Sequence, residues 1–181
     1  MVTLYLIRHA EAVPPGDPNY EDDDRPLTPA GRATARSLGA VLAAKGIKFD
    51  AILSSPLPRA KQTAEELAAG YGEGAAEISD VDELAPGEKP RKLDKRLLKT
   101  EGESIALVGH QPDLGDYAGR LIGAKKARMK LAKPSVVCIE CDEPPGKDAG
   151  ELQWLLAPPW FGPATAPAED PGPVLYADRA R

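Results

Sequence analysis

The chain has 181 residues, 42% of them hydrophobic, and a formal net charge of −5, which suits one globular domain with a substantial core. No stretch reaches the ~18 consecutive apolar residues of a bilayer span, and the apolar start VTLYLI lacks the basic flank and small-residue cleavage site of a secretory leader, so a cytoplasmic protein with no membrane attachment is expected. The acidic balance argues against a general nucleic-acid binder, whose affinity rests on a positive field.

Residues 2–8, VTLYLIR, read as a buried strand that runs without a spacer into RHAE. A loop over 10–26 follows, rich in Pro, Gly and Asp and containing the acidic run EDDD. Thr28 then stands as an N-cap with Pro29 at the first helical position; Ala35, Leu38, Val41 and Leu42 share a face, and Gly46 supplies a stop. FDAILSSP (49–56) predicts a second strand ending in a turn, and 58–72 a helix that begins beside Arg59. A short strand is expected around EISDVDEL, closed by Pro86 and Gly87. Residues 91–102 predict a helix with Leu93, Leu97 and Leu98 on one side and a basic face opposite. SIALVG (104–109) is a further apolar strand that delivers His110, with a helix over 113–123 after it. SVVCIECD and ELQWLLA flank the turn-rich EPPGKDAG in a hairpin pattern.

Strands alternating with helices over 2–123 imply right-handed βαβ units. The expected fold is therefore α/β, a three-layer α/β/α sandwich around a mostly parallel sheet with a C-terminal hairpin. Six of the 19 prolines fall in 157–181. The domain is thus expected to end at 156, followed by an extended or partly disordered tail that could lie on the surface through Trp160, Phe161 and Tyr176. Cys138 and Cys141 are three apart on a predicted strand, which sends them to opposite faces, and they read as ordinary strand cysteines rather than as metal ligands.

In open α/β sheets ligands bind beyond the carboxyl ends of the strands. The chain has two histidines; His9 follows the first strand and His110 the SIALVG strand, while Arg8 and Arg59 stand at two strand ends. Three segments so converge on one rim. Two guanidiniums can grip a tetrahedral phosphoryl oxyanion bidentately. A neutral imidazole is a competent nucleophile near neutral pH, and a second can donate to oxygens that gain charge in the transition state. No metal or other cofactor is expected, since the cations can come from side chains.

At these residues the chain resembles the histidine phosphatase superfamily, the phosphoglycerate mutase-like fold. LIRHAEA is similar to its R-H-G/A signature, RPLTPAGRATA to its L-T-x-x-G segment, ILSSPLPRAKQTAEEL to its S-S-P-x-x-R-A-x-Q-T-A block and ALVGHQPDLG to its second-histidine segment. The resemblance implies a histidine phosphatase domain over 1–156, with His9 as the nucleophile of a covalent phosphohistidine and Arg8, Arg59 and His110 as the phosphate pocket. Ala10, the small size and a 73–103 region too short for a cap resemble the SixA-type phosphohistidine phosphatases. That implies a phosphorylated protein, such as a signalling phosphotransfer domain, as substrate; a monomer is expected. A small phosphate ester (sugar or nucleotide phosphate) is the alternative, and a non-catalytic phospho-ligand binding module a third reading. Glu83 in VDELAPG matches the general-acid position loosely, with Glu11, Asp17 and Asp24 as competitors. The basic stretches 89–96 and 125–133 read first as solvated faces.

Overall fold

Alternate side chains of a strand leave on opposite faces, and in the first strand both faces are apolar: Leu4 and Leu6 point into one core, Tyr5 and Ile7 into another. Such a strand needs cover on both sides. The computed structural model, which describes residues 1–124, 129–142 and 145–161, supplies it. Strand β1 (Val2–Arg8) is followed by helix α1 (Pro29–Ala44), β2 (Ala51–Ser54), α2 (Pro58–Tyr71), β3 (Ile78–Asp80), a 3-10 turn (Asp82–Leu84), α3 (Pro90–Leu97), β4 (Ser104–Gly109), α4 (Asp113–Leu121) and the strands β5 (Val136–Cys141) and β6 (Gly150–Leu156).

The six strands lie in the order β3-β2-β4-β1-β5-β6. The first four run parallel, whereas β5 and β6 form the antiparallel hairpin expected from the turn-rich linker. Leu38 and Leu42 of α1 and Ala60, Ala64 and Leu67 of α2 pack on one face of the sheet. Leu93 and Leu97 of α3 and Leu114, Tyr117 and Leu121 of α4 pack on the other. The three-layer α/β/α fold is the one the strand–helix alternation predicts. Cys138 and Cys141 are free, buried and divided between the two cores, as their spacing requires.

Local chemistry sets the ends of the elements. The Thr28 hydroxyl caps α1 by accepting the Gly31 N–H at 3.0 Å, with Pro29 next to it. Leu98 departs from its predicted place: it is 63% exposed, because α3 ends at Leu97. A residue five beyond Leu93 also lies about 140° around the helix from it, whereas Leu97, four beyond, shares its face. Val41 is half-buried at the edge of its apolar face. Of the C-terminal segment, a 3-10 turn (Pro158–Trp160) leaves Trp160 80% exposed, and Phe161 is buried. Tyr176 and the rest of the tail lie outside the described residues, as do 125–128 of the second basic stretch.

Helices α1 and α2 meet closely through two glycines. A Cβ on Gly39 would fall 2.0 Å from the Leu67 carbonyl oxygen, and one on Gly70 would fall 1.9 Å from that of Arg36. Backbone atoms cannot turn aside as a side-chain tip can. Gly39→Ala and Gly70→Ala are each expected to lower stability by about 1–3 kcal/mol, the range for overpacking a tight contact, read as a shifted urea midpoint at unchanged slope.

Candidate active site

The parallel pairing of β1 with β4 puts Arg8 opposite Gly109, so the next residues, His9 and His110, emerge together at the carboxyl rim. The His9 N–H bonds the Gly109 carbonyl at 2.9 Å, and the two imidazole centroids are 5.2 Å apart. Both histidines are almost wholly buried. Strand β2, on the other side of β4, brings Ser55 to the same rim through a bond from its N–H to the Val108 carbonyl. Arg59 arrives on the first turn of α2.

Each imidazole is oriented by one hydrogen bond. His9 Nδ1 lies 2.7 Å from the Ala10 carbonyl oxygen, which can only accept. The proton therefore sits on Nδ1, and Nε2 keeps its lone pair. His110 Nε2 lies 2.8 Å from Ser55 Oγ, and His110 Nδ1 is buried with no hydrogen-bond partner. Burial, with the charges of His110, Lys133 and Arg59, pushes the pKa of His9 down to about 3, against the bond to Ala10. Burial and the guanidiniums of Arg59, Arg25 and Arg8 lower that of His110 to about 4. Both rings are therefore neutral at physiological pH.

The cations are equally constrained. Arg59 is 5% exposed and donates through Nη1 to the Asp22 carbonyl at 3.0 Å. Arg8 donates through Nη1 to the Leu131 carbonyl. The Nε atoms of both are buried without a partner. Burial lowers the pKa of each guanidinium, and Arg25 adds to the effect on Arg59. Arginine stays charged regardless. A buried donor left without an acceptor is costly, so the two Nε–H groups are suited to meet an anion.

Sequence reasoning passes over four contributors. Arg25 is 7% exposed; its Nε donates to Asp22 at 2.9 Å and its Nη1 to the Val13 carbonyl at 2.6 Å, so the loop that looks merely acidic holds two arginines in place. Ser55 follows an apolar strand just as the two histidines do, and the same strand-end rule would find it. Thr63 Oγ1 accepts the Ala10 N–H at 2.9 Å and donates to the Arg59 carbonyl at 2.7 Å, tying the histidine turn to α2. Lys133, at the edge of the second basic stretch, has its pKa lowered by burial and by Arg8 and Arg25; its neighbours Leu131 and Ser135 meet Arg8 through their backbone carbonyls, which a sequence does not mark.

Glu83 is half-buried and lines a cleft of about 150 Å³ together with His110. Its competitors are engaged elsewhere or exposed. Glu11 accepts the Thr28 hydroxyl at 3.3 Å, Asp17 accepts the Asn19 N–H at 2.9 Å, and Asp24 is exposed on the loop. Among the described residues no three His, Cys, Asp or Glu side chains gather in a way that could hold a metal ion, and no helix is long and apolar enough to cross a membrane.

The model of the histidine phosphatase superfamily (branch 1) matches residues 4–91. An uncharacterized protein of Picosynechococcus sp. is 34% identical over 170 residues, covering 88% of this chain and 99% of that one. The protein histidine phosphatase SixA complexed with tungstate superposes with a TM-score of 0.73 at 22% identity, over 87% of this chain and 97% of that one. A candidate phosphohistidine phosphatase SixA from Agrobacterium tumefaciens gives 0.70 at 26%, over 87% and 98%. A mycobacterial glucosyl-3-phosphoglycerate phosphatase gives 0.68 at 18%, over 87% and 100%.

Two outcomes follow from the geometry. In the unfolded chain both imidazoles take up protons near the ordinary histidine value of 6.5, whereas in the fold they stay neutral to about 3 and about 4. The unfolded state thus binds more protons between these limits, and their contribution to stability is complete above pH 6.5 and lost as the pH falls through that window. Urea unfolding of the wild type and of a His9→Asn/His110→Asn variant at about pH 7 and about pH 4.5 will show a smaller acid loss in the variant. Thr63→Val leaves the buried Ala10 N–H without its acceptor and is expected to cost about 1–3 kcal/mol in the same assay.

Proposed function

This chain belongs to the histidine phosphatase superfamily, and we propose that within it the protein is a metal-independent phosphatase whose nucleophile is His9 and whose preferred substrate is a phosphohistidine borne by a protein. The observation that carries the reading is the tautomer of His9: the Ala10 carbonyl holds the proton on Nδ1 and leaves Nε2 free and neutral. An imidazole with a buried, unprotonated nitrogen beside three buried or half-buried arginines suits attack on phosphorus.

In the proposed reaction the phosphoryl oxygens take the orphaned Nε–H groups of Arg8 and Arg59. A phosphoryl dianion also favours the tautomer in which Ser55 donates to His110 Nε2 and His110 donates from Nδ1, since the alternative points a lone pair at negative charge. His9 Nε2 then forms a bond to phosphorus as the bond to the leaving group breaks, and Glu83 is assigned as the general acid that donates a proton to that group and recovers it from the attacking water in the second step. Water attacks the phosphohistidine next, releasing inorganic phosphate and restoring neutral His9. Arg25 and Lys133 add to the positive field that stabilises the anion. The similarity to two SixA structures, the small size and the SixA-like Ala10 support the phosphohistidine substrate. The domain boundary at 156 and a monomeric, cytoplasmic state belong to the same proposal.

Enzyme quenched during turnover of an aryl phosphate is expected to carry acid-labile, base-stable phosphate on His9, and His9→Ala to lose both label and turnover; full-rate turnover by that variant overturns the assignment. Phosphorylated histidine-phosphotransfer protein is expected to show a far higher kcat/KM than sugar or nucleotide phosphates, and the opposite ranking favours a small ester as substrate. Glu83→Gln is expected to slow an ester with a poor leaving group by about 10²-fold or more, and a nitrophenyl ester little, the signature of a general acid.

A further inference from the structure

Helix α3 runs against the charge of the rest of the chain. Residues 89–99 hold six cations, Lys89, Arg91, Lys92, Lys95, Arg96 and Lys99, and one acid, Asp94, in a protein whose formal net charge is −5. Asp94 faces α4, where it accepts the Tyr117 hydroxyl at 3.0 Å and pairs with Arg120. Lys92 pairs with Glu88 at 2.6 Å. Among the described residues the other five cations have no ion-pair partner, and all of these but Arg96 are exposed.

The helix itself does not call for this arrangement. Lys95 and Arg96, in the last turn, suit its negative end, but Arg91 stands in a first turn that has no acid to offset it at the positive end. Arg91 and Lys95, and Lys92 and Arg96, are like charges one turn apart, a spacing that destabilises a helix. In an acidic protein the same cations lower the net charge that keeps molecules apart, so solubility does not account for them. Their position is close to the candidate site. Pro90 and Leu93 share the wall of a cleft with His110, and from there the eight residues of α3 run about 12 Å toward the start of β4.

We propose that the exposed face of α3 is the surface on which the phosphorylated protein docks, and that this partner presents an acidic patch about one helix length, ~12 Å, from its phosphohistidine. The proposal rests on the phosphatase reading and gives its protein substrate a charge and a place. An acidic patch laid on α3 offsets the repulsion among its cations and steers the phosphoryl group toward the rim. A long polyanion or an anionic bilayer would also meet the acidic remainder of the chain, which a compact patch on a partner protein avoids.

Three synthetic peptides test it, each with a phosphohistidine, a spacer of about four residues that reaches ~13 Å, and a block of glutamates, serines or lysines. The expected order of kcat/KM at low salt is glutamate, serine, lysine, with at least about tenfold between the extremes. The difference should lie in KM and fade at about 1 M salt, where the Debye length is about 3 Å. Arg91→Glu/Lys95→Glu/Lys99→Glu is expected to invert the order, and the corresponding Gln set to level it, while both hydrolyse 4-nitrophenyl phosphate within about twofold of the wild type. Turnover that ignores peptide charge, or an order unchanged in the Glu set, overturns the proposal and leaves the phosphatase reading standing. Sedimentation with phosphatidylglycerol vesicles in place of a peptide preference overturns it in favour of a membrane. A fluorescent, unphosphorylated glutamate peptide that binds the wild type and not the Glu set, with no phosphopeptide turned over, supports the docking face and overturns the phosphatase reading instead.

Discussion

The parallel pairing of β1 with β4 is the constraint from which the site follows. It brings Tyr5 and Ala106, far apart in sequence, into register, and it carries His9 and His110 side by side off the same edge. Both strands are buried between two apolar layers, so a slip of one residue would turn the Leu4 and Leu6 face toward the core built for Tyr5 and Ile7. The hydrophobic pattern thus fixes the placement of the imidazoles, although no imidazole takes part in it.

Around that pair, the pocket is built from groups that the fold leaves short of partners. Burial removes water from the histidines and arginines, and the fold gives each side chain one hydrogen bond or two, enough to aim it and too few to satisfy it. Neutral rings and desolvated cations are costly to the fold by themselves and well matched to an anion, whose charge would restore what desolvation takes away. The acidic loop between β1 and α1 holds this assembly: Asp22 alone accepts from Arg25 through its carboxylate and from Arg59 through its backbone.

Much of this is legible from residue patterns. Continuous apolar runs in the central strands, the Thr28–Pro29 start of α1 and the strand ends that carry Arg8, His9 and His110 are local signals, and local signals survive in a sequence. The α/β/α layering follows from alternation, and the opposite faces of Cys138 and Cys141 from spacing alone. What escapes depends on distant contacts. Arg25 sits in a run of exposed acids, and only the folded loop shows it to be buried. Lys133 reaches the rim because the antiparallel β5 enters where the parallel strands leave. Ser55 carries no charge to mark it beside its histidine partner. Leu98 falls outside its predicted face because that face takes in one residue more than the helix does.

The close contact of Gly39 and Gly70 has a consequence for turnover. Helices whose backbones touch cannot slide independently, so α2 is fixed against α1 and holds Arg59 and Thr63 where the first strand needs them. In the proposed reaction such a cradle is ready before substrate arrives and does not relax once the phosphoryl group has been cut loose. Free orthophosphate then meets the same donors as the ester did, and it competes as a product inhibitor whose grip owes nothing to what the phosphate was once attached to.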